Sequence, residues 1–133
     1  MIDPSQLRLG NYIRHKSGVR ILPAKCNFQH FELLSRGITK DVFPIVLKAD
    51  ILKKCGFIEN EKYYQLPDIR EFILTLPVKG SNKNEIRAYI GNNSEPYARA
   101  TVNELIITNN VYHLHQVQNL FHALTGTELD VLI

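Results

Sequence analysis

Cysteine is scarce in this chain, and that removes several chemistries at once. Cys26 and Cys55 are the only two among 133 residues. They lie too far apart in sequence for a metal-binding pair or a C-x-x-C redox motif. In a reducing cytoplasm both should be free thiols. Cys55, just before Gly56 at the end of an expected short helix, reads as a small core residue. Long apolar runs are also missing: none approaches the roughly 18 residues that cross a bilayer. The start, MIDPSQLRLG, has no basic segment followed by an apolar core, so it does not read as a signal peptide. The expectation is a cytoplasmic protein with no membrane partner. Catalytic signatures are absent too, with no G-x-S-x-G, H-E-x-x-H, P-loop or paired-carboxylate spacing. The sequence therefore predicts a non-enzyme with no catalytic residues, no cofactor and no small-molecule substrate. RNP, KH and zinc-knuckle patterns are missing as well, so any nucleic-acid contact lacks a familiar module.

What is present reads as one domain over residues 1–133, with no repeats, low-complexity tract or linker. An apolar fraction of 44% and a charged fraction of 22% are ordinary for a globular protein. The length suffices to bury a core without disulfides or metal.

Charge is uneven. Met1 to Leu66 holds eleven Lys or Arg against six Asp or Glu, whereas Pro67 to Ile133 holds five against seven. Between Pro4 and Phe31 lie Arg8, Arg14, Lys16, Arg20 and Lys25 and no acid at all. A stretch of one sign attracts phosphates or an acidic protein surface, or stands as a solvated basic face.

The clearest periodic stretch lies near the end. Leu114, Val117, Leu120, Phe121 and Leu124 form one face of a helix of about three turns, expected over Tyr112 to Thr125. Gly126 follows where a left-handed residue closes helices. Glu128 to Ile133 reads as a short terminal strand. Upstream, Tyr12 to His15 and Val19 to Leu22 read as strands joined by a turn at Lys16-Ser17-Gly18, with Arg14 and Lys16 on one face. Phe28 to Leu34 reads as a third strand by alternation, giving a small curled sheet of barrel-like form. Val42 to Leu47, around Pro44, suits an edge strand or extended link. Lys48 to Lys54 reads as a short helix stopped by Gly56. Phe57 to Leu66 reads as a hairpin. Glu71 to Val78 and Glu85 to Ile90 read as paired strands, and Tyr97 to Ile107 as a strand ending in a buried Leu-Ile-Ile. The fold class is α+β: a small, mostly antiparallel sheet packed on one long C-terminal helix and one short helix.

His113, His115 and His122 invite a metal reading, since His115, Asn119 and His122 share a helix face. The position a second ligand would need holds Asn119 instead, so no metal site is predicted. Gln116, Gln118 and Asn119 put amides where surface helices usually carry Lys and Glu. Amides donate and accept together, so they suit a helix that caps neighbouring strands or one that meets a partner.

The run from His115 to Gly126, HQVQNLFHALTG, resembles the closing signature of a family of small phage and prophage proteins of Bacteroidota, which reads close to HQLQNLYFALTGEEL. Leu7 to Tyr12, LRLGNY, is similar to that family's opening motif, near LRIGNW. Phe43 to Phe57, FPIVLKADILKKCGF, is similar to its central PIPLTEEILLKCGF. The motifs keep the family's order and span most of the chain. Residues from about Ile69 to Val102 match less, and His122 stands where the family has an aromatic residue. The resemblance implies a prophage setting rather than a chemistry. One activity linked to such proteins is inhibition of CRISPR defence, including that of the type VI-B RNA-guided RNA nuclease.

The combined expectation is a non-enzymatic inhibitor of phage or prophage origin. It would bind a CRISPR effector nuclease, its guide RNA or both, and block productive target recognition. Arg8, Arg14, Lys16, Arg20 and Lys25 are the candidate contacts, with Gln116 and Asn119 of the amide face beside them. The alternatives are a nucleic-acid-binding phage accessory protein and, more distantly, a small hydrolase.

Overall fold

Two antiparallel sheets, each with its own apolar core, make up the α+β fold of the computed structural model, which describes residues 2–38, 40–63 and 68–133. The first sheet contains β1 (Tyr12–Ser17), β2 (Arg20–Lys25) and β3 (Val42–Phe43), in the order β2-β1-β3. Ser17 pairs with Arg20, so Gly18 and Val19 form a two-residue turn. Gly18, at φ +63, sits at the first central position, where a type II′ turn needs glycine. Pro44 ends β3, which remains an edge strand as its composition predicts. The sheet is open, so the expected barrel-like closure is not formed.

Its covering element corrects the sequence reading. Phe28 to Leu34 is not a strand but most of helix α1 (Phe28–Ser35). Asn27 decides this: its side chain accepts from the N–H groups of Gln29 and His30, and His30 Nδ1 accepts the Asn27 N–H in return. Such reciprocal capping satisfies donors that an isolated helix start leaves bare. Helical spacing then brings His30 and Leu34 to the buried side, where Leu34 joins Ile2, Leu7, Ile13, Cys26 and Val42.

The second sheet is a meander of β4 (Ile58–Glu59), β5 (Arg70–Thr75), β6 (Asn84–Ile90), β7 (Tyr97–Val102) and β8 (Leu105–Ile106). Its inner face presents Phe72, Ile86, Ala88, Ala98 and Ala100, all buried. Alanines at three of these positions let a helix approach the sheet closely, which close packing rewards. Helix α3 (Leu114–Thr125) belongs to this core through Leu114, Val117 and Phe121. Helix α2 (Ala49–Lys54), as short as its sequence predicts, adds Leu52, followed by Cys55 and Phe57. The first residues of α3 are prepared by Gln116, whose Oε1 accepts from the N–H groups of Tyr112 and His113. Gly126 closes the helix at φ +74 and donates its N–H to His122 O at 2.8 Å.

Three further expectations change. Leu105, Ile106 and Ile107 are exposed rather than buried. Asn103 and Glu104 both take positive φ and turn the chain back as a two-residue hairpin loop, which leaves this run on the outer edge of the sheet. Glu128 to Ile133 forms no strand: Leu129 drops into the core and Leu132 donates its N–H to Lys54 O. Ile58 and Glu59 pair with β5 rather than with a following strand, and the remainder of that expected hairpin, from Tyr64 to Leu66, lies outside the described residues.

Phe121 is 7% exposed and Leu120 only half-buried. Phe121→Ala should therefore cost about 3–5 kcal/mol and Leu120→Ala about 1–2 kcal/mol. Denaturant melts of the two variants check this; the parent chain's midpoint in both would show that α3 does not pack by this face.

Candidate binding surface

The hairpin β1–β2 is exposed along most of β2 and at the end of β1. Val19 at its tip is 99% exposed, and Ile21 and Leu22 are 41% and 50% exposed. Register sorts its cations. Arg14 faces Pro23, Lys16 faces Ile21 and Tyr12 faces Lys25, so Arg14, Lys16 and Lys25 share one face. Arg20, opposite Ser17, belongs to the other face with His15 and Leu22. That second face is covered near Ile13 by the first core and is open only toward the tip. Lys25 Nζ lies 5.7 Å from the centre of the Tyr12 ring. Among the described residues, no carboxylate pairs with Arg14, Lys16, Arg20 or Lys25.

Arg8, Gln116 and Asn119 have a different surrounding. Arg8 Nε donates to Asn119 Oδ1 at 2.7 Å, and its two Nη atoms meet the Glu128 carboxylate. The hydrogen bonds from Arg8 hold the Glu128 carboxyl below its ordinary range. Asn119 Oδ1 also accepts from Asn11 Nδ2, and Asn119 Nδ2 donates to Gln6 O. Gln116 Nε2 reaches Gln6 Oε1 at 3.3 Å. Gln118, buried beside them, accepts the Tyr12 N–H at 2.8 Å. The amides of α3 thus meet the N-terminal segment and the start of β1, and the structure does not bring Arg8, Gln116 or Asn119 to the hairpin face.

A second polar surface escaped the sequence reading. The outer face of the five-stranded sheet carries Glu71, Tyr89 and Tyr97 in one row and Ile73, Arg87 and Arg99 in the next. Arg87 and Arg99 stand directly opposite each other, an unfavourable pairing unless it is compensated. Arg87 is compensated by Glu85 at 2.9 Å and by Glu71 and Glu104 at 3.6 Å. Arg99 lies over the Tyr89 and Tyr97 rings. Burial, reinforced by Glu71, pushes the Tyr89 hydroxyl up to about 12. The charges of this face answer one another. Its signal was the alternation of Glu85, Arg87 and Tyr89 with Tyr97, Arg99 and Thr101 across a hairpin. Only the register reveals that these charges meet.

The histidines do not converge as a ligand set. His115 is buried, with its ring stacked on His113 at 5.8 Å, whereas His122 lies 3.9 Å from Glu128. On the first sheet, His30 Nε2 and His15 Nδ1 are 3.2 Å apart. Because His30 Nδ1 accepts the Asn27 N–H, a neutral His30 carries its proton on Nε2 and donates it to His15. Burial depresses the pKa of His30, with a further contribution from His15, and burial also depresses that of His113. Both cysteines are buried free thiols, and burial pushes Cys55 up to about 12.

Burial drives His115 down to about 4 from an ordinary 6.5, and no described group partners its Nδ1. Between those values the unfolded chain binds a proton that the folded chain refuses. Stability therefore falls as pH drops from about 7 to about 4, by roughly 3 kcal/mol from this residue, and changes little from it below that. His30 and His113 act in the same direction. Chemical denaturation from pH 7.5 to 4 should show this slope, and His115→Gln should flatten it. An unchanged slope in the variant would remove His115 as its source.

No family model, curated protein or solved structure matches this chain.

Proposed function

We propose that this protein acts by binding rather than by catalysis, and that the basic hairpin β1–β2 is its contact surface. The observation that carries this reading is the pairing of the arginines. Of the seven in the chain, Arg8, Arg36, Arg70 and Arg87 pair with carboxylates, and Arg99 lies over two tyrosine rings. Among the described residues, only Arg14 and Arg20 have neither kind of partner, and both stand on the exposed hairpin. An unpaired guanidinium offers five donors in a fixed fork, suited to phosphate or carboxylate. Lys16 and Lys25 extend the charge, and exposed Val19, Ile21 and Leu22 add apolar area that a partner can cover.

In its specific form, the proposal is a phage or prophage inhibitor of an RNA-guided CRISPR nuclease, type VI-B favoured. It would bind the nuclease or its guide RNA and prevent productive target recognition. Support for the specific form is the resemblance of the LRLGNY, FPIVLKADILKKCGF and HQVQNLFHALTG segments to the prophage family. A guide-RNA-bound nuclease also presents dense phosphate charge, which complements the hairpin.

Co-expression with a type VI-B system tests this. The chain should restore survival of a targeted plasmid or RNA phage. Arg14→Glu combined with Lys16→Glu should abolish protection with the melting temperature kept, because exposed hairpin charges contribute little stability. Arg20→Glu, made alone, reports on the opposite face. Protection that persists in the double variant would remove the Arg14 face from the contact. An absence of protection, together with salt-steep binding to RNA alone, would favour the accessory-protein reading.

A further inference from the structure

We propose that the partner of the hairpin is a protein, and that it seats one apolar side chain, flanked by carboxylates, in the pocket between the hairpin and α2; this rests on the binding reading above. The pocket measures about 230 Å³. Pockets for drug-sized ligands run to roughly 300–1,000 Å³, so this one suits a single large side chain. Arg14 and Pro23 contribute from the hairpin, Val46 from the segment after β3, and Ile51 from α2. Lys48 and Ile133 also line it, with Asp50 its one acidic side chain. Neither Arg14 nor Lys48 has a carboxylate partner among the described residues. A pocket with an apolar wall of Pro23, Val46, Ile51 and Ile133 beside unpaired cations is the complement of an apolar anchor with acidic neighbours, the arrangement in which interface energy concentrates.

Two further observations favour a protein over RNA. Single-stranded RNA is held by exposed rings on which bases stack. On this face Tyr12 and Phe43 are half-buried, Lys25 already lies over the Tyr12 ring, and the exposed apolar groups are aliphatic. The backbone of β2 also directs recognition to side chains. Lys16 donates its N–H to Asp41 O, away from β2, so by alternation the groups of Ile21, Pro23 and Lys25 face outward. Pro23 has no N–H and interrupts that edge, which disfavours addition of a partner strand.

The test is fluorescence anisotropy with the full chain and three probes: a labelled peptide repeating Glu-Glu-Phe, its counterpart with alanine for phenylalanine, and an oligouridylate of equal charge. The phenylalanine peptide should bind more tightly than either control. Val46 is 41% exposed, so changes there should leave the fold intact. Val46→Trp, which fills the pocket, and Val46→Glu, which repels the acidic neighbours, should each weaken peptide binding by about tenfold or more. Their far-UV circular dichroism and melting temperatures should match the parent chain. Equal binding of the alanine peptide, indifference to Val46→Trp, tighter binding of the oligouridylate, or no peptide binding would each overturn the proposal. Protection in cells without peptide binding would sink this inference and leave the proposed function standing. Pocket-dependent peptide binding without protection would do the reverse.

Discussion

The N–H of Tyr12, at the start of β1, finds its acceptor not in a strand but in the side chain of Gln118 on α3. That bond ties the two halves of the molecule together. Gln118 is almost fully buried, so without this partner both groups would pay a desolvation cost of about 1–3 kcal/mol each. Around it, Asn119 takes donors from Arg8 and Asn11 and returns one to Gln6. The apolar side of α3 belongs to the five-stranded sheet, and its polar side organises the N-terminal segment. A helix with charges in place of these amides would satisfy one side of that contact and strand the other. The hairpin is held at its base by this seam, while its tip stays free of packing.

Charge follows the same division. Around Arg87 and Arg99, acids and tyrosine rings compensate two opposed guanidinium groups, which makes a charged sheet face tolerable at low exposure. On the hairpin, Arg14 and Arg20 have no such compensation among the described residues. The difference sets a sheet face whose guanidinium groups meet acids and rings against a hairpin with unused capacity.

How much of this was legible in the sequence varied with the range of the forces involved. Helix α3 was legible because Leu114, Val117 and Phe121 repeat at one helical period, and Gly126 was legible as its stop. Of the meander, β5, β6 and β7 were legible as strands, β6 from its alternation, and so was the shared face of Arg14 and Lys16. Helix α1 was not, because Phe28, His30 and Glu32 alternate as well as any strand. What decides is a cap in which histidine takes the place usually held by Glu or Gln. The exposure of Leu105 to Ile107 depended on the backbone of two turn residues, which composition does not report. Arg8 was legible as a cation but not as the partner of Glu128, because that contact joins distant parts of the chain and exists only after folding. The open sheet face was hidden for the same reason: its residues alternate plainly, but their compensation is set by register.

The turn at Asn103 and Glu104 carries a consequence for how this sequence is balanced. Both residues hold positive φ, and at the second position glycine would do so without strain. Glu104 instead bears a backbone cost of order 1–3 kcal/mol. Its carboxylate lies 3.6 Å from Arg87 and 3.7 Å from Lys83. Glycine there would relax the loop but withdraw one of the acids that tolerate the opposed arginines. The loop and the sheet face are therefore coupled in what they accept: a substitution neutral at one becomes harmful once the other has changed. Drift in this part of the chain would then proceed by paired replacements rather than single ones.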